Sequence, residues 1–113
     1  AVEAEGNYGR LRHGECVAIG MVAASKLTLA RDAKGWTRTE HDRLVALIEA
    51  AKLPTRVPSD MEADKLIDRT RVDKKAERGR ARYILPTRMG HVETVRDGEE
   101  STVREVLLEL GAR

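Results

Sequence analysis

The stretch from Val17 to Ala30 limits what this chain can become more than any other. It holds one charged side chain, Lys26, in a sequence that is 35% charged overall. A run of this length, rich in Ala, Val and Leu, is too long for a strand and predicts a helix from about Gly14 to Arg31. With so little charge, that helix is expected to be buried on most sides, in the middle of the domain. Gly20, Ala18, Ala23 and Ala24 would let neighbouring helices approach closely. Gly35 is expected to end the segment as a C-terminal cap.

A chain of 113 residues has room for one domain with a modest core and is too short for two. Aromatic side chains are scarce: Trp36, Tyr8, Tyr83 and no Phe. The core must come from Leu, Ile, Val, Ala and Met, which suits helix-on-helix packing. A net charge of +2 gives no global field toward nucleic acid or membrane. The single Cys16 excludes an internal disulfide and fits a reducing compartment. With no signal peptide visible and no apolar run long enough to span a bilayer, a cytoplasmic location is expected. The chain does not open on Met, and we read it as a piece of a longer protein.

Taken in order, Ala1 to Glu5 could be the tail of a helix, followed by a loop from Gly6 to Arg10. After the central helix, Thr37-Arg38-Thr39-Glu40 is a capping-box pattern. The helix it opens carries Leu44, Leu47, Ile48 and Ala51 on one face and stops at Leu53-Pro54. Ser59-Asp60-Met61-Glu62 predicts a second capping box, for a helix that turns Ala63, Leu66, Ile67 and Thr70 inward and ends near Val72. Asp73 to Arg80 reads as a charged loop. Two short strands are expected at Arg82–Thr87 and His91–Arg96, with Pro86 marking an edge or a bulge and Asp97-Gly98 a turn. A last helix runs from about Glu99 to Leu110, with Val103, Val106, Leu107 and Leu110 on one face and Gly111 at its end. The fold class is mostly α: four or five helices and one short β-hairpin.

Chemistry concentrates at His13-Gly14-Glu15, at the threshold of the apolar helix. Gly14 permits a sharp entry into the helix. The positive end of the helix dipole disfavours imidazolium, and neutral imidazole is the form that binds a metal or accepts a proton. The pattern alone leaves His13 between two roles, a metal ligand or a ring bonded to a backbone carbonyl. Glu15 is expected to complement the dipole, and Cys16 to be a small buried hydrophobe. His41 is expected to be solvent-exposed on a polar helix face, His91 to flank the hairpin turn, and neither to have a role. Lys74, Lys75, Arg78, Arg80 and Arg82 form a cationic cluster that can hold a phosphate or carboxylate, or simply be a solvated loop. Without interleaved aromatics it does not suit nucleic acid.

These residues carry a resemblance. His13-Gly14-Glu15-Cys16-Val17-Ala18-Ile19-Gly20-Met21, preceded by Ala1-Val2-Glu3-Ala4, resembles the metal-binding segment of the 3-dehydroquinate synthase family. In that family a Gly-His-Thr-x-x-Gly-His motif runs directly into Ala-[Ile/Val]-Glu, and this chain opens just after the place of its second histidine. The match continues at Ala50–Thr55, at Val72-Asp73-Lys74-Lys75, and at Arg82-Tyr83-Ile84-Leu85-Pro86 with Met89-Gly90. The resemblance implies a helical C-terminal metal- and substrate-binding domain spanning residues 1–113, with the N-terminal NAD-binding domain outside this chain. It implies a carbon–oxygen lyase of the shikimate pathway that converts the sugar-acid phosphate DAHP to 3-dehydroquinate with loss of phosphate. It implies NAD, held by the N-terminal domain, and a divalent metal, zinc or cobalt. His13 would be one of three metal ligands, the other two lying upstream. Lys74 and, less directly, Lys75 would reach the substrate. No catalytic residue and no cofactor-binding residue is assigned in this chain. The parent enzyme would be a homodimer, and this piece alone would be inactive. Two alternatives stand beside this reading: a related sugar-phosphate cyclase such as 2-deoxy-scyllo-inosose synthase, and a non-catalytic helical interaction module with a basic loop.

Overall fold

A computed structural model describes residues 1–31, 34–76, 82–95 and 99–113, with the backbone alone at residues 72–76. Its elements in chain order are α1 (Val2–Glu5), α2 (His13–Ala30), α3 (Arg38–Ala50), α4 (Ala63–Ala76), β1 (Tyr83–Arg88), β2 (His91–Val95) and α5 (Glu100–Glu109). The structure is mostly helical with one hairpin, as the hydrophobic periodicity requires.

Helix α2 is the axis of the molecule, in contact with α1, α3, α5 and β1. It buries Ala18, Ile19, Val22, Ser25 and Thr28, one face of the helix. It is not buried on most sides: Val17 and Met21 are 45% and 43% exposed. Low charge made the helix look covered all round, yet among the described residues nothing covers the flank of its first half that carries Val17, Gly20 and Met21. The buried face joins Ile48, Leu66, Ile67, Val103, Val106, Leu107 and Leu110 in one core, together with Val57, Met61 and Ala63.

The helix ends follow local chemistry. Thr37 caps α3, its N–H donating to Glu40 Oε2 at 2.7 Å and its hydroxyl donating to the same carboxylate. These hydrogen bonds hold the Glu40 carboxyl below its ordinary range. Helix α3 ends on Lys52 at φ 60°, where Leu53 N–H reaches Ile48 O and Lys52 N–H reaches Glu49 O. That is a Schellman turn with lysine in the position glycine favours. Its inward face differs from expectation: Ile48 is buried and Leu44 partly so, but Leu47 and Ala51 are exposed. His41 takes the inward place one turn earlier.

Other expectations are corrected. The second capping box does not form, because Ser59 and Asp60 lie in a turn and α4 begins at Ala63. A backbone clamp sets that start: Ala63 N–H donates to Arg113 O at 2.9 Å and Arg113 N–H to Met61 O at 2.8 Å. The segment Asp73-Lys74-Lys75 is the end of α4 and not a loop. Nothing in Asp73–Ala76 breaks a helix, and Lys and Ala favour one. Glu77 to Ala81 and the Asp97-Gly98 turn lie outside the described residues. Gly35 does not cap α2, whose C-cap is Arg31. It allows backbone to approach backbone, since a Cβ there would run into the Thr87 carbonyl. The antiparallel hairpin pairs Tyr83 with Val95 and slips register between Pro86 and Arg88, the irregularity that Pro86 foreshadowed. Thr28 of α2 fastens the slip by donating to Pro86 O at 2.8 Å.

Candidate functional site

His13 is the first residue of α2. Its entry works as the sequence suggests: the Arg12 N–H donates to Glu15 Oε1 at 2.8 Å, so Glu15 stabilises the helix start. The His13 ring is 79% exposed, and its Nδ1 lies 3.3 Å from Glu3 Oε1 of α1. The sequence pattern alone gives Glu3 no partner. The signal that could have found it is an Ala-Val-Glu turn followed by a short glycine-bearing loop, which folds residue 3 back toward residue 13.

Both residues stand on the edge of a groove of about 410 Å³. Cys16, Val17 and Gly20 of α2 form one wall, and Arg82, Tyr83 and Ile84 of the hairpin face them. Most of the wall is apolar, with Glu3, His13, Thr70 and Arg82 among its polar residues. Cys16 is half-buried and not fully buried, on the groove side of the helix. Burial and the neighbouring Glu3 charge push its thiol pKa up. At neutral pH it is a neutral thiol, a poor ligand beside an imidazole.

Of the cationic cluster, Arg82 lines the groove with His13. Thr70 of α4 lines it too, and Lys74 follows one helical turn later on the same element. Leu66 and Thr70 of α4 and the start of β1 therefore border the same groove. Arg78 and Arg80 lie outside the described residues. His91 is the exposed first residue of β2, away from the groove.

His41 corrects the sequence reading. It is 3% exposed, and its Nδ1 lies 2.7 Å from the hydroxyl of fully buried Ser25. The Trp36 indole N–H donates to the same Ser25 Oγ at 2.8 Å. This buried trio joins α2, α3 and the segment between them. It is a structural pin remote from His13.

Among the described residues no three His, Cys, Asp or Glu side chains are placed to hold a metal together. What the geometry offers is one imidazole backed by one carboxylate. That pairing suits a metal ligand, because metal-bound histidines commonly give their second ring nitrogen to a carboxylate.

The arrangement defines a class: a mostly helical domain whose central helix opens with a histidine–carboxylate pair at the mouth of an apolar groove. Residues 1–76 match the family described as 3-dehydroquinate synthase C-terminal. The 3-dehydroquinate synthase of Synechococcus sp. (strain PCC 6301) is 42% identical over 95% of this chain and 28% of its own length. That of Nostoc sp. (strain PCC 7120) is 38% identical over 97% of this chain and 30% of its length. That of Xylella fastidiosa is 43% identical over 86% of this chain and 24% of its length. The chain belongs to the 3-dehydroquinate synthase family, and it spans less than a third of the length of these relatives.

Proposed function

We propose that this chain is the C-terminal metal- and substrate-binding domain of a 3-dehydroquinate synthase, whose NAD-binding domain lies outside it. The enzyme converts DAHP to 3-dehydroquinate and releases phosphate in the cytoplasm, as a homodimer. The observation that carries this reading is the His13–Glu3 pair at 3.3 Å, inside the segment that matches the family.

In this reading His13 offers Nε2 to a divalent cation, zinc or cobalt, while Nδ1 faces Glu3. When bound, that cation supplies Lewis-acid polarisation of a substrate hydroxyl. NAD supplies the redox chemistry, and the protein supplies orientation and charge. Lys74, with Lys75 beside it, gives the substrate's carboxylate or phosphate a cationic partner from the end of α4. Lysine serves there as a mobile point charge, and Arg82 adds a planar donor on the same groove.

A chimaera tests this. This chain replaces the corresponding C-terminal segment of the Synechococcus relative, and phosphate release from DAHP is followed with NAD and zinc present. Turnover is expected, with His13→Ala reducing it by at least about a hundredfold, the upper end of what loss of a metal-site partner costs. Lys74→Ala is expected to raise KM. A folded chimaera that turns over equally well with His13→Ala overturns the assignment of His13. Membership of the 3-dehydroquinate synthase family speaks against the alternative of a free helical interaction module.

A further inference from the structure

The apolar groove is bordered by a polar pair, His13 and Glu3. His13 Nδ1 and Glu3 Oε1 are 3.3 Å apart, and the Glu3 side chain is only 29% exposed against 79% for the ring. Glu3 is mounted and not adrift. The Tyr8 N–H donates to Glu3 O at 2.9 Å, closing the turn after α1. Glu5, one element-mate along, pairs with Arg69 of α4 at 3.2 Å. A short helix tied to α4 thus presents a fixed carboxylate to a ring that stands mostly in solvent. Among the described residues Glu3 is the one hydrogen-bond partner of that ring. A carboxylate can only accept, so the ring nitrogen facing it must carry the proton.

We propose that Glu3 is the positioning residue of the His13 site, accepting the Nδ1–H of the neutral ring and so presenting the Nε2 lone pair to a divalent cation. The proposal rests on the reading of His13 as a metal ligand. Without Glu3 the ring would favour its Nε2–H form, which has no lone pair to give on that side. It would also turn freely, and each cation bound would have to order it.

The test is nitrogen-15 NMR of the chain labelled at histidine, above the pH at which the rings are neutral, with His13→Ala assigning the resonances. The wild-type ring is expected to show the Nδ1–H tautomer in majority. Glu3→Gln, whose amide both donates and accepts, should lose that bias, and Glu3→Ala should revert to Nε2–H. Amide spectra of both variants report whether the fold is kept. Zinc titrated into the wild type should shift Nε2 of His13, and Glu3→Gln should weaken that response by about tenfold. Identical tautomer populations in wild type and Glu3→Gln overturn the positioning role even if zinc still binds His13, which leaves the ligand reading standing. Zinc that leaves His13 untouched while the tautomer follows Glu3 overturns the ligand reading, and with it the purpose proposed for the pair.

Discussion

At the scale of single residues, His41 shows how a buried ring becomes a pH-dependent stability element. Trp36 donates to one lone pair of Ser25 Oγ, so the hydroxyl proton is free to donate to Nδ1 of a neutral ring. A proton on Nδ1 would reverse that bond inside the core. Burial lowers the His41 pKa, with Lys26 and Arg38 adding to the effect against Asp42. The unfolded ring titrates near 6.5, so below that pH the unfolded chain binds more protons than the folded one. Stability therefore falls as pH drops through this window. The paired carboxylate Glu40 has its pKa lowered, so its own contribution is lost only below 4.5. Urea unfolding at about pH 7.5 and about pH 5.5 should show the loss. His41→Gln should cost about 1–3 kcal/mol at the higher pH by disturbing a buried hydrogen bond, and it should flatten the pH dependence. An unchanged slope in that variant would assign the titration elsewhere. Polarity in the chain hinted at this trio: Ser25 and Thr28 interrupt an apolar helix, and buried hydroxyls need partners. Which partner was not legible, because His41 is sixteen residues from Ser25.

At the scale of elements, two helices end with the same turn but different residues. Lys52 closes α3 at φ 60°, and Gly111 closes α5 at φ 111°. The 6→1 bonds match: Leu53 N–H to Ile48 O at 3.1 Å, and Ala112 N–H to Leu107 O at 3.0 Å. A side chain at positive φ is strained, so Lys52→Gly is expected to stabilise the chain by about 0.5–1 kcal/mol. Gly111→Ala should do the opposite by more, since a Cβ there meets Val57 O at 3.1 Å as well as the strained backbone. Thermal midpoints of the two variants should move in opposite directions. Gly111 was legible as a stop. Lys52 was not, because the sequence places the break at Leu53-Pro54 and lysine carries no turn preference. Ser59 shows the converse: its pattern fits a capping box, but the clamp to Arg113 starts α4 at Ala63.

At the scale of the whole molecule, the exposed flank of α2 and the single imidazole belong together. Val17 and Ile84 leave apolar surface open in the groove that His13 borders, and Met21 is exposed on the same helix as Val17. Catalytic zinc sites usually draw three protein ligands, and the described residues bring no such set together. Calorimetric titration of the chain with zinc is therefore expected to show no sub-micromolar site. Stoichiometric tight binding would mean that this chain holds more of the metal cage than His13.

Much of this protein follows from hydrophobic spacing alone. The central helix, the Thr37 cap, the hairpin with its irregularity at Pro86, and the inward face of α5 are local, and local patterns are set by propensity and periodicity. His13 was singled out the same way, as a polar group at the start of a charge-poor helix. Only the tertiary structure decided what these elements touch. It turned His41 inward onto Ser25, bared one flank of α2 and set Glu3 against His13. The physical reason is that burial and pairing depend on which surfaces meet across the chain, and a residue's own neighbours in sequence carry little of that.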